Sequence, residues 1–173
     1  MIIILMGVSG SGKSTLGPLL ASRLSLPFKD ADNFHPDSNI EKMRSGIALN
    51  DIDRKPWLDK LNEQMKKWNS DGGAVLACSA LKKKYRNRLR QGLHSADVLF
   101  VFLDGPRNLI SQRLEKRQGH YMPSALLDSQ FATLEEPEHA LAVSIEPNPQ
   151  DIVDKIISKL STLNRLNLSD KVQ

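Results

Sequence analysis

The first fifteen residues contain a glycine-rich loop of the kind that holds phosphate groups. Gly7, Gly12, Lys13 and Ser14 match the pattern G-x-x-x-x-G-K-[ST] directly after an apolar run. Glycines let the backbone curl so that amide N–H groups point at phosphate oxygens. We expect Lys13 to reach the outer phosphates of a nucleotide and the Ser14 hydroxyl to bind Mg²⁺. The residues expected to contact the nucleotide here are Gly7, Val8, Ser9, Gly10, Ser11, Gly12, Lys13, Ser14 and Thr15.

Two carboxylates, Asp30 and Asp32, are separated by one residue on a predicted loop. At this spacing both can point into one cleft. One can hold Mg²⁺ through water, and the other can accept the proton of an acceptor hydroxyl. We assign proton acceptance to Asp32 and the metal to Asp30, and the reverse assignment stays open. The competing interpretation is a solvated acidic turn.

Basic residues follow the third predicted strand in the stretch CSALKKKYRNRLR. Ser79, Lys82 and Arg86 would face a substrate at the strand end, and an anionic acceptor needs such partners. The alternative is a basic helix face over 82–90 that is solvated or contacts RNA. Tyr85 is the lone aromatic residue of this stretch, so base stacking has little support.

A second basic stretch, RLEKRQGHYMP, carries Arg113 and Arg117 four residues apart on one helical face. Arginines here can stabilise charge on a transferring phosphoryl group, and Gly119 can act as the hinge of a closing lid. Two surface arginines paired with acidic neighbours are the alternative.

Two other reactive residue types have a simpler explanation. Asp104 ends the run LFVFLD and resembles a Walker B carboxylate, but the following Gly105 and Pro106 favour a turn. Cys78 is the single cysteine, so no intrachain disulfide can form. No base is placed near it, and we predict a buried strand residue and not a nucleophile.

The elements that must position these residues alternate along the chain. Strands are predicted at 2–6, 26–29, 74–78, 98–103 and 141–145, and helices at 14–24, 36–44, 53–69, 82–91, 106–117, 124–131 and 150–160. Asp53 is the predicted cap of the long helix. The alternation predicts a parallel sheet covered on both faces, with ligands at the carboxyl ends of the strands.

Length and composition limit the number of domains and the class of protein. The chain has 173 residues, 40% of them hydrophobic, and a net charge of +4. We expect one domain over 1–160 with a small lid near 117–124, and a polar, frayed tail over 161–173. The first apolar run is too short to span a membrane and lacks the flanks of a leader, so we expect a cytoplasmic protein.

Missing motifs narrow the class of phosphate-loop protein. The sequence contains no N-K-x-D for guanine recognition and no L-S-G-G-Q of transporter ATPases. It is also too short for a helicase or motor core. A small phosphotransferase remains, in which the acceptor binds beside the nucleotide.

Five stretches in this order and spacing resemble the gluconate kinase family: GVSGSGKST, DADNFHPDSNIEKMRSGIALNDIDRKPWL, CSALKKKYR, RLEKRQGHYMP and LLDSQFATLEEP. The resemblance covers about residues 1–160. It implies an α/β P-loop fold like that of nucleoside-monophosphate kinases, with a five-stranded parallel sheet of order 2-3-1-4-5. It implies ATP- and Mg²⁺-dependent phosphorylation of D-gluconate at the C6 hydroxyl, which feeds the pentose phosphate pathway. A homodimer is also implied. From the residues themselves we expect no nucleic-acid and no membrane partner.

The resemblance also suggests residue roles. Arg117 would be the lid arginine on the phosphates, Arg113 would lie against adenine, and Asp32 would be the acceptor-side carboxylate. The gluconate side would be lined or supported by His35, Asn39, Lys42, Asp51, Arg54 and His120. Arg54, Lys82 and Arg86 are the candidate partners of the gluconate carboxylate, and the sequence does not choose among them.

Two rival functions remain at this point. One is a kinase for another sugar acid or a shikimate-like acceptor. The other is a nucleotide-dependent module that binds RNA or protein through the basic helix. The paired carboxylates and the candidate lid arginines argue against the second.

Overall fold

The computed structural model describes residues 1–116 and 124–169. Within them lie the strands β1 (Ile2–Met6), β2 (Phe28–Asp30), β3 (Ala74–Ala77), β4 (Val98–Asp104) and β5 (Leu141–Ser144). The helices are α1 (Lys13–Leu24), α2 (Asp37–Arg44), α3 (Asp51–Ser70), α4 (Lys83–Leu89), α5 (Arg107–Glu115), α6 (Ser124–Thr133) and α7 (Pro149–Ser169). In this part of the chain, no helix combines the length and apolar character needed to cross a bilayer.

The strands form one parallel sheet in the order β2-β3-β1-β4-β5. β1 lies at its centre, where Ile4 pairs with Leu76 of β3 and with Phe100 of β4. This confirms the predicted α/β fold and its 2-3-1-4-5 order. All five carboxyl ends lie at the same edge of the sheet, where this class of fold binds ligands.

The central strand β1 supplies both hydrophobic cores. Its five residues are all buried. Ile3 and Leu5 pack with residues of α1 and α7, while Ile2, Ile4 and Met6 pack with residues of α3. Because successive side chains of a strand point to opposite faces, a strand covered on both sides must be apolar throughout. The core therefore holds the start of the glycine-rich loop rigidly.

Helix α3 begins earlier than predicted, and its cap is Asn50 and not Asp53. The Asn50 side chain accepts the Asp53 N–H (2.9 Å), and the Asp53 carboxylate accepts the Asn50 N–H (3.0 Å). This reciprocal pair is a capping box, in which two otherwise unpaired N–H groups are satisfied. The prediction was wrong because Asp53 serves as the third helical residue of the box.

Helix α7 continues to Ser169, although we predicted its end at Leu160. The segment 161–169 is polar, but it contains no Gly or Pro. Polarity alone does not end a helix, whereas Gly and Pro do. The other predicted helices and strands differ from the observed ones by at most two residues at either end.

Candidate active site

The phosphate loop connects β1 to the first turn of α1. Gly12 caps α1 with φ +99°, and Gly10 has φ +81°, conformations that residues with a Cβ rarely adopt. A Cβ at Gly10 would also lie 2.8 Å from the Leu114 side chain of α5. Both positions therefore require glycine, and the chain enters α1 at its positive dipole end, where phosphate binds favourably.

Lys13 folds back over this loop. Its Nζ donates hydrogen bonds to the carbonyl oxygens of Gly7 and Val8, both at 2.9 Å. Beneath the loop, the Ser11 hydroxyl is fully buried and has no hydrogen-bond partner among the described residues. A buried hydroxyl without a partner carries a desolvation cost, and Ser11 does not reach the cleft surface. The Lys13 ammonium, the exposed hydroxyls of Ser14 and Thr15 and the N-terminus of α1 fit an anionic phosphate with a bound cation.

A cleft of about 520 Å³ opens in front of the loop, a size suited to small-molecule ligands. The predicted site residues that line it are Ser9, Gly10, Gly12, Lys13, Ser14, Thr15, Asp32 and Arg113. Gly7, Val8 and Ser11 are buried behind this surface. The structure thus brings together the phosphate loop, one acceptor-side carboxylate and one arginine.

The far end of the cleft suits a planar base. Arg113 Nη2 donates to the Ile145 carbonyl (2.7 Å), which orients the flat guanidinium along the cleft wall. Pro147, Pro149 and Ile152 complete this wall with apolar surface. We missed these three residues in the sequence. They follow the carboxyl end of β5. A search of the residues after this strand, as was made after the other strands, could have found them.

Asp30 and Asp32 differ in their surroundings. Asp30 Oδ1 accepts the Asp32 N–H (3.0 Å) and caps a short 3-10 turn at Ala31–Phe34. The Asp32 side chain is 87% exposed and lines the cleft. The cleft walls still exclude part of the bulk water around it, which raises its pKa, and the Asp30 carboxylate raises that pKa further. Lys13 opposes this increase.

His35 lies beside Asp32, with Nε2 3.9 Å from Asp32 Oδ1. The Asn39 Nδ2 donates to the Asp53 carbonyl (2.9 Å), and this acceptor fixes the amide orientation. The same Nδ2 lies 3.4 Å from His35 Nδ1, which must therefore accept. A neutral His35 then carries its proton on Nε2, on the side of Asp32. Burial is the main cause that lowers the His35 pKa to about 4, so the ring is neutral at neutral pH.

Lys42 holds α2 against α3. Its Nζ lies 2.7 Å from Asp53 Oδ1, and this hydrogen bond is the main reason that the Asp53 pKa is lowered. Helices α2 and α3 are thus tied by an ion pair at the α3 capping box.

Asp51 gathers the basic residues on the other side of the acceptor region. Lys82 Nζ lies 3.2 Å from Asp51 Oδ1, while Lys84 and the Tyr85 hydroxyl also donate to this carboxylate. These hydrogen bonds, that of Lys84 first, hold the Asp51 pKa well below its usual range. The Arg54 guanidinium lies over the Tyr85 ring, 5.7 Å from its centroid.

Ser79 and Arg86 are placed differently from each other. Ser79 lies beside the phosphate loop, where its carbonyl accepts the Gly7 N–H (3.3 Å). Arg86 is only 7% exposed, and its Nη1 donates to the carbonyls of Ala80 and Leu81 (3.0 Å each). Its guanidinium therefore holds the loop before α4, and the structure does not bring it to the cleft.

The predicted lid lies largely outside the described residues. Arg117, Gly119 and His120 all belong to that stretch. Their assignment to the phosphates, to a hinge and to gluconate stays a prediction from sequence.

Cys78 and Asp104 both lie at the carboxyl ends of strands, Cys78 directly after β3 and Asp104 at the end of β4. Cys78 is 2% exposed, and burial raises the pKa of its thiol to about 12, which agrees with a buried residue and not a nucleophile. Asp104 is the last residue of β4, and its carbonyl accepts the Ile145 N–H (2.9 Å). A strand end suits a turn residue and a Walker B carboxylate alike, so the choice between them stays a prediction from sequence.

The basic residues of α4 are paired within the chain. Lys83 contacts Glu138 (3.4 Å), Arg88 contacts Asp59, and Arg90 contacts Asn87 (2.8 Å). The carboxylates of Glu138 and Asp59 offset the charges of Lys83 and Arg88, which weakens their attraction to a phosphate backbone. The Asn87 amide orients Arg90 but leaves its charge in place. The two ion pairs therefore weaken the case for an RNA-binding face on α4.

Across residues 1–116 and 124–169, no three His, Cys, Asp or Glu side chains cluster as a metal site. The residues that could hold a Mg²⁺ ion beside a nucleotide are those predicted from the sequence, Ser14 directly and Asp30 through water. This is the usual way in which Mg²⁺ binds beside nucleotides.

A parallel 2-3-1-4-5 sheet, a phosphate loop after its central strand and a carboxylate in the same cleft define a P-loop kinase for a small acceptor. A family model described as shikimate kinase matches residues 9–161. The "Gluconokinase" of Arabidopsis thaliana is 45% identical over 180 residues, with 96% of this chain and 94% of the relative covered. A "Probable gluconokinase" of Dictyostelium discoideum is 44% identical, with 92% and 86% covered.

Solved structures agree with these relatives. The crystal structure of a gluconokinase from Sinorhizobium meliloti 1021 superposes with a TM-score of 0.87 at 40% identity, over 99% of this chain and 97% of that one. The chain belongs to the gluconokinases, within the shikimate-kinase family of P-loop enzymes. It is therefore a kinase, as the sequence predicted.

Proposed function

We propose that the chain transfers the γ-phosphoryl group of ATP to the C6 hydroxyl of D-gluconate. The products are ADP and 6-phosphogluconate, an intermediate of the pentose phosphate pathway. The observation that carries this proposal is the cleft in which Asp32 lies with Lys13, Ser14 and the rest of the phosphate loop. An acceptor hydroxyl at Asp32 would lie next to the outer phosphate of a bound nucleotide.

The phosphate loop binds and orients the triphosphate. Loop amides, Lys13 and the N-terminus of α1 all offer positive charge or N–H donors to its oxygens. Arg113 and the apolar wall at Pro147, Pro149 and Ile152 hold the adenine. Most of the rate enhancement comes from this positioning and from charge stabilisation, as in other phosphoryl transfers.

Ser14 and Asp30 hold the metal side of the site. When bound, Mg²⁺ neutralises charge on the phosphate oxygens. Ser14 offers its hydroxyl from the first turn of α1, and Asp30 acts through water. The local hydrogen bond from Asp32 N to Asp30 Oδ1 keeps the Asp30 carboxylate in one orientation.

Asp32 removes the proton from the C6 hydroxyl. The hydroxyl oxygen forms a bond to the γ-phosphorus, the bond from that phosphorus to the bridging oxygen breaks, and ADP leaves. Asp32 carries away the proton, and its raised pKa makes it a stronger base than an ordinary aspartate. Three features support Asp32 over Asp30: its exposure, its place in the cleft and the capping role of Asp30.

Arg54 is our choice among the three candidate partners of the gluconate carboxylate. Arg86 is buried against backbone carbonyls. Lys82 is 3.2 Å from Asp51, and this ion pair already engages its ammonium. Arg54 donates to the Leu49 carbonyl through Nη1 and stacks over an aromatic ring, and its fork geometry suits a carboxylate.

Arg54 also lies near His35, because its positive charge contributes to the lowered pKa of that residue. His35 in turn lies beside Asp32. We therefore infer that gluconate binds with its carboxylate at Arg54 and its C6 hydroxyl at Asp32. His35, Lys42, Ser79 and Lys82 are the further candidate contacts of the sugar acid.

The lid and the assembly complete the proposal. Arg117 acts on the phosphates and His120 on gluconate, as the resemblance implies. The chain works as a homodimer in the cytoplasm, without nucleic-acid or membrane partners. Light scattering on the purified protein measures the assembly directly, and a monomeric mass would overturn the dimer.

An acceptor panel tests the proposed substrate. ADP release is measured with ATP and Mg²⁺ in the presence of D-gluconate, other sugar acids, shikimate, or glucose as the control without a carboxylate. We expect turnover with gluconate and little with glucose. Lys13→Ala serves as the inactive control, since it removes the ammonium that contacts the phosphates. Turnover with another acid but not with gluconate would overturn the substrate and leave the kinase mechanism in place.

A further inference from the structure

Gln130 of α6 is hydrogen-bonded to the tip of the phosphate loop. The Ser9 N–H donates to Gln130 Oε1 (2.7 Å), and Gln130 Nε2 donates to Ser9 Oγ (3.1 Å). The two residues are 121 positions apart in the sequence. Both ends of one carboxamide are therefore committed to one residue of the loop.

The chemistry of the pair requires an amide. A backbone N–H can only donate, so it fixes Oε1 toward Ser9 N and leaves Nε2 for the hydroxyl. A carboxylate at this position would also accept the N–H, but it would add negative charge behind a loop that binds phosphate. A neutral side chain with one acceptor and one donor avoids that repulsion.

The position of Gln130 is held by the core. Leu127, three residues earlier on the same face of α6, is 2% exposed and belongs to the core under the sheet. Phe131 packs against that same core. The carboxamide therefore extends from a helix that core packing holds in place, and its hydrogen bonds restrain the position of Ser9.

The loop tip has support from a second helix. Gly10, the neighbour of Ser9, packs so closely on α5 that a Cβ there would come within 2.8 Å of Leu114 and 3.0 Å of Ile110. Apolar contact from α5 and polar contact from α6 thus meet at adjacent loop residues. Ser9 itself lines the cleft that also contains Lys13 and Asp32.

We propose that Gln130 is a positioning residue for phosphoryl transfer, acting through Ser9. This inference rests on the proposed kinase function. Gln130 fixes the tip of the phosphate loop, and through it the γ-phosphate, relative to the acceptor hydroxyl at Asp32. Reacting atoms must be aligned closely, and a displacement of about 1 Å can cost on the order of 100-fold in rate.

Gln130→Met tests the proposal because methionine keeps the volume and removes both hydrogen bonds. We expect kcat to fall about 10- to 100-fold with the KM for ATP within about twofold of wild type. Asp128→Asn is the matched control on the same helix, since it removes the surface ion pair with Arg107 (2.5 Å) and leaves Gln130 in place. This control should retain wild-type kcat.

A merely structural role of Gln130 predicts a different pattern. In that case Gln130→Met would lower the melting temperature and kcat together, or it would keep wild-type kcat, and either result overturns the proposal. Ser9→Ala adds a coupling test, because its effect on kcat should be smaller in the Gln130→Met background than in wild type. Additive effects would contradict a contribution of the hydrogen bond between Gln130 Nε2 and the Ser9 hydroxyl, since Ser9→Ala removes that bond and keeps the backbone N–H.

The same experiment separates this inference from the proposed function. Wild-type turnover with gluconate tests the function alone. If gluconate is not an acceptor, the ratio of variant to wild type is measured on acceptor-independent ATP hydrolysis. A lower ratio for Gln130→Met then still supports the role of Gln130, and an unchanged ratio overturns it.

Discussion

The His35 imidazole stacks on the Trp57 indole, with ring centroids 4.4 Å apart and planes 12° from parallel. The indole Nε1–H in turn donates to the Ala31 carbonyl (2.8 Å), between the two carboxylates of the acceptor loop. One buried aromatic residue therefore positions both the loop and the imidazole beside it. This arrangement excludes water from His35 and keeps the ring neutral.

The lowered His35 pKa predicts a specific acid sensitivity. Its folded value of about 4 lies below the ordinary 6.5, so between these pH values the unfolded chain binds more protons. The stabilising contribution is fully present above pH 6.5 and is lost as the pH falls toward 4. It amounts to at most about 3 kcal/mol.

Chemical unfolding of wild type and of His35→Gln is measured from pH 4 to 7. The difference between their free energies of unfolding gives the contribution of His35 at each pH. The other titrating carboxylates affect both proteins equally. We expect the wild type to lose its stability advantage over the variant as the pH falls. Parallel curves would contradict a neutral, buried His35.

Asp32→Asn should lower kcat about 10²- to 10⁴-fold, the usual contribution of a general base. The amide keeps the size of the side chain but cannot accept the hydroxyl proton. ATP affinity, measured by calorimetry, should change little. Asp30→Asn is the informative partner variant, since it should alter the Mg²⁺ dependence more than kcat at saturating metal. An Asp32→Asn enzyme with weak ATP binding but normal chemistry would refute the base role.

Arg54→Gln should raise the KM for gluconate by about 10- to 100-fold, because a charge-assisted hydrogen bond contributes about 1.5–3 kcal/mol. The KM for ATP should stay close to wild type. Lys82→Gln is the comparison, and a smaller effect is expected because Asp51 already pairs with Lys82. If Lys82→Gln raises the KM for gluconate more than Arg54→Gln does, the assignment of the carboxylate is wrong.

Gly17→Ala should destabilise the protein, although alanine is the better helix former by about 1 kcal/mol. Gly17 lies inside α1, and a Cβ there would come within 2.2 Å of the Phe28 ring on β2. Overpacking of this kind costs about 1–3 kcal/mol. Thermal unfolding measures the sign, and Ser22→Ala on the exposed face of α1 is the control. A stabilised Gly17→Ala protein would contradict the close packing of α1 on β2.

The sequence was most informative where a pattern is local. The phosphate loop at Gly7–Ser14 and the apolar runs of β1, β3, β4 and β5 are contiguous signals, and the sheet order that the family resemblance implied is confirmed. The Asp53 cap was wrong by a small margin because Asn50 offers an equally good capping side chain three residues earlier. Local propensities do not decide between such neighbours.

Contacts between segments far apart in the chain could not be predicted from sequence patterns. The sequence suggests that Arg86 is exposed or faces a substrate, whereas the structure buries it against the Ala80 and Leu81 carbonyls. Gln130 lies in a stretch that carried the family resemblance, but no spacing rule connects it to Ser9 across 121 residues. Such pairings depend on how α6 packs on the sheet, and only the three-dimensional structure provides this.

The position of the new phosphate on the product tests the central claim most directly. The reaction with ATP, Mg²⁺ and D-gluconate is followed by ³¹P and ¹H NMR, with a reaction lacking gluconate as the control. We expect a phosphomonoester coupled to the two C6 protons, formed in equal amount with ADP. ATP hydrolysis to inorganic phosphate without a gluconate ester, or a phosphate on another carbon, would contradict the proposed function.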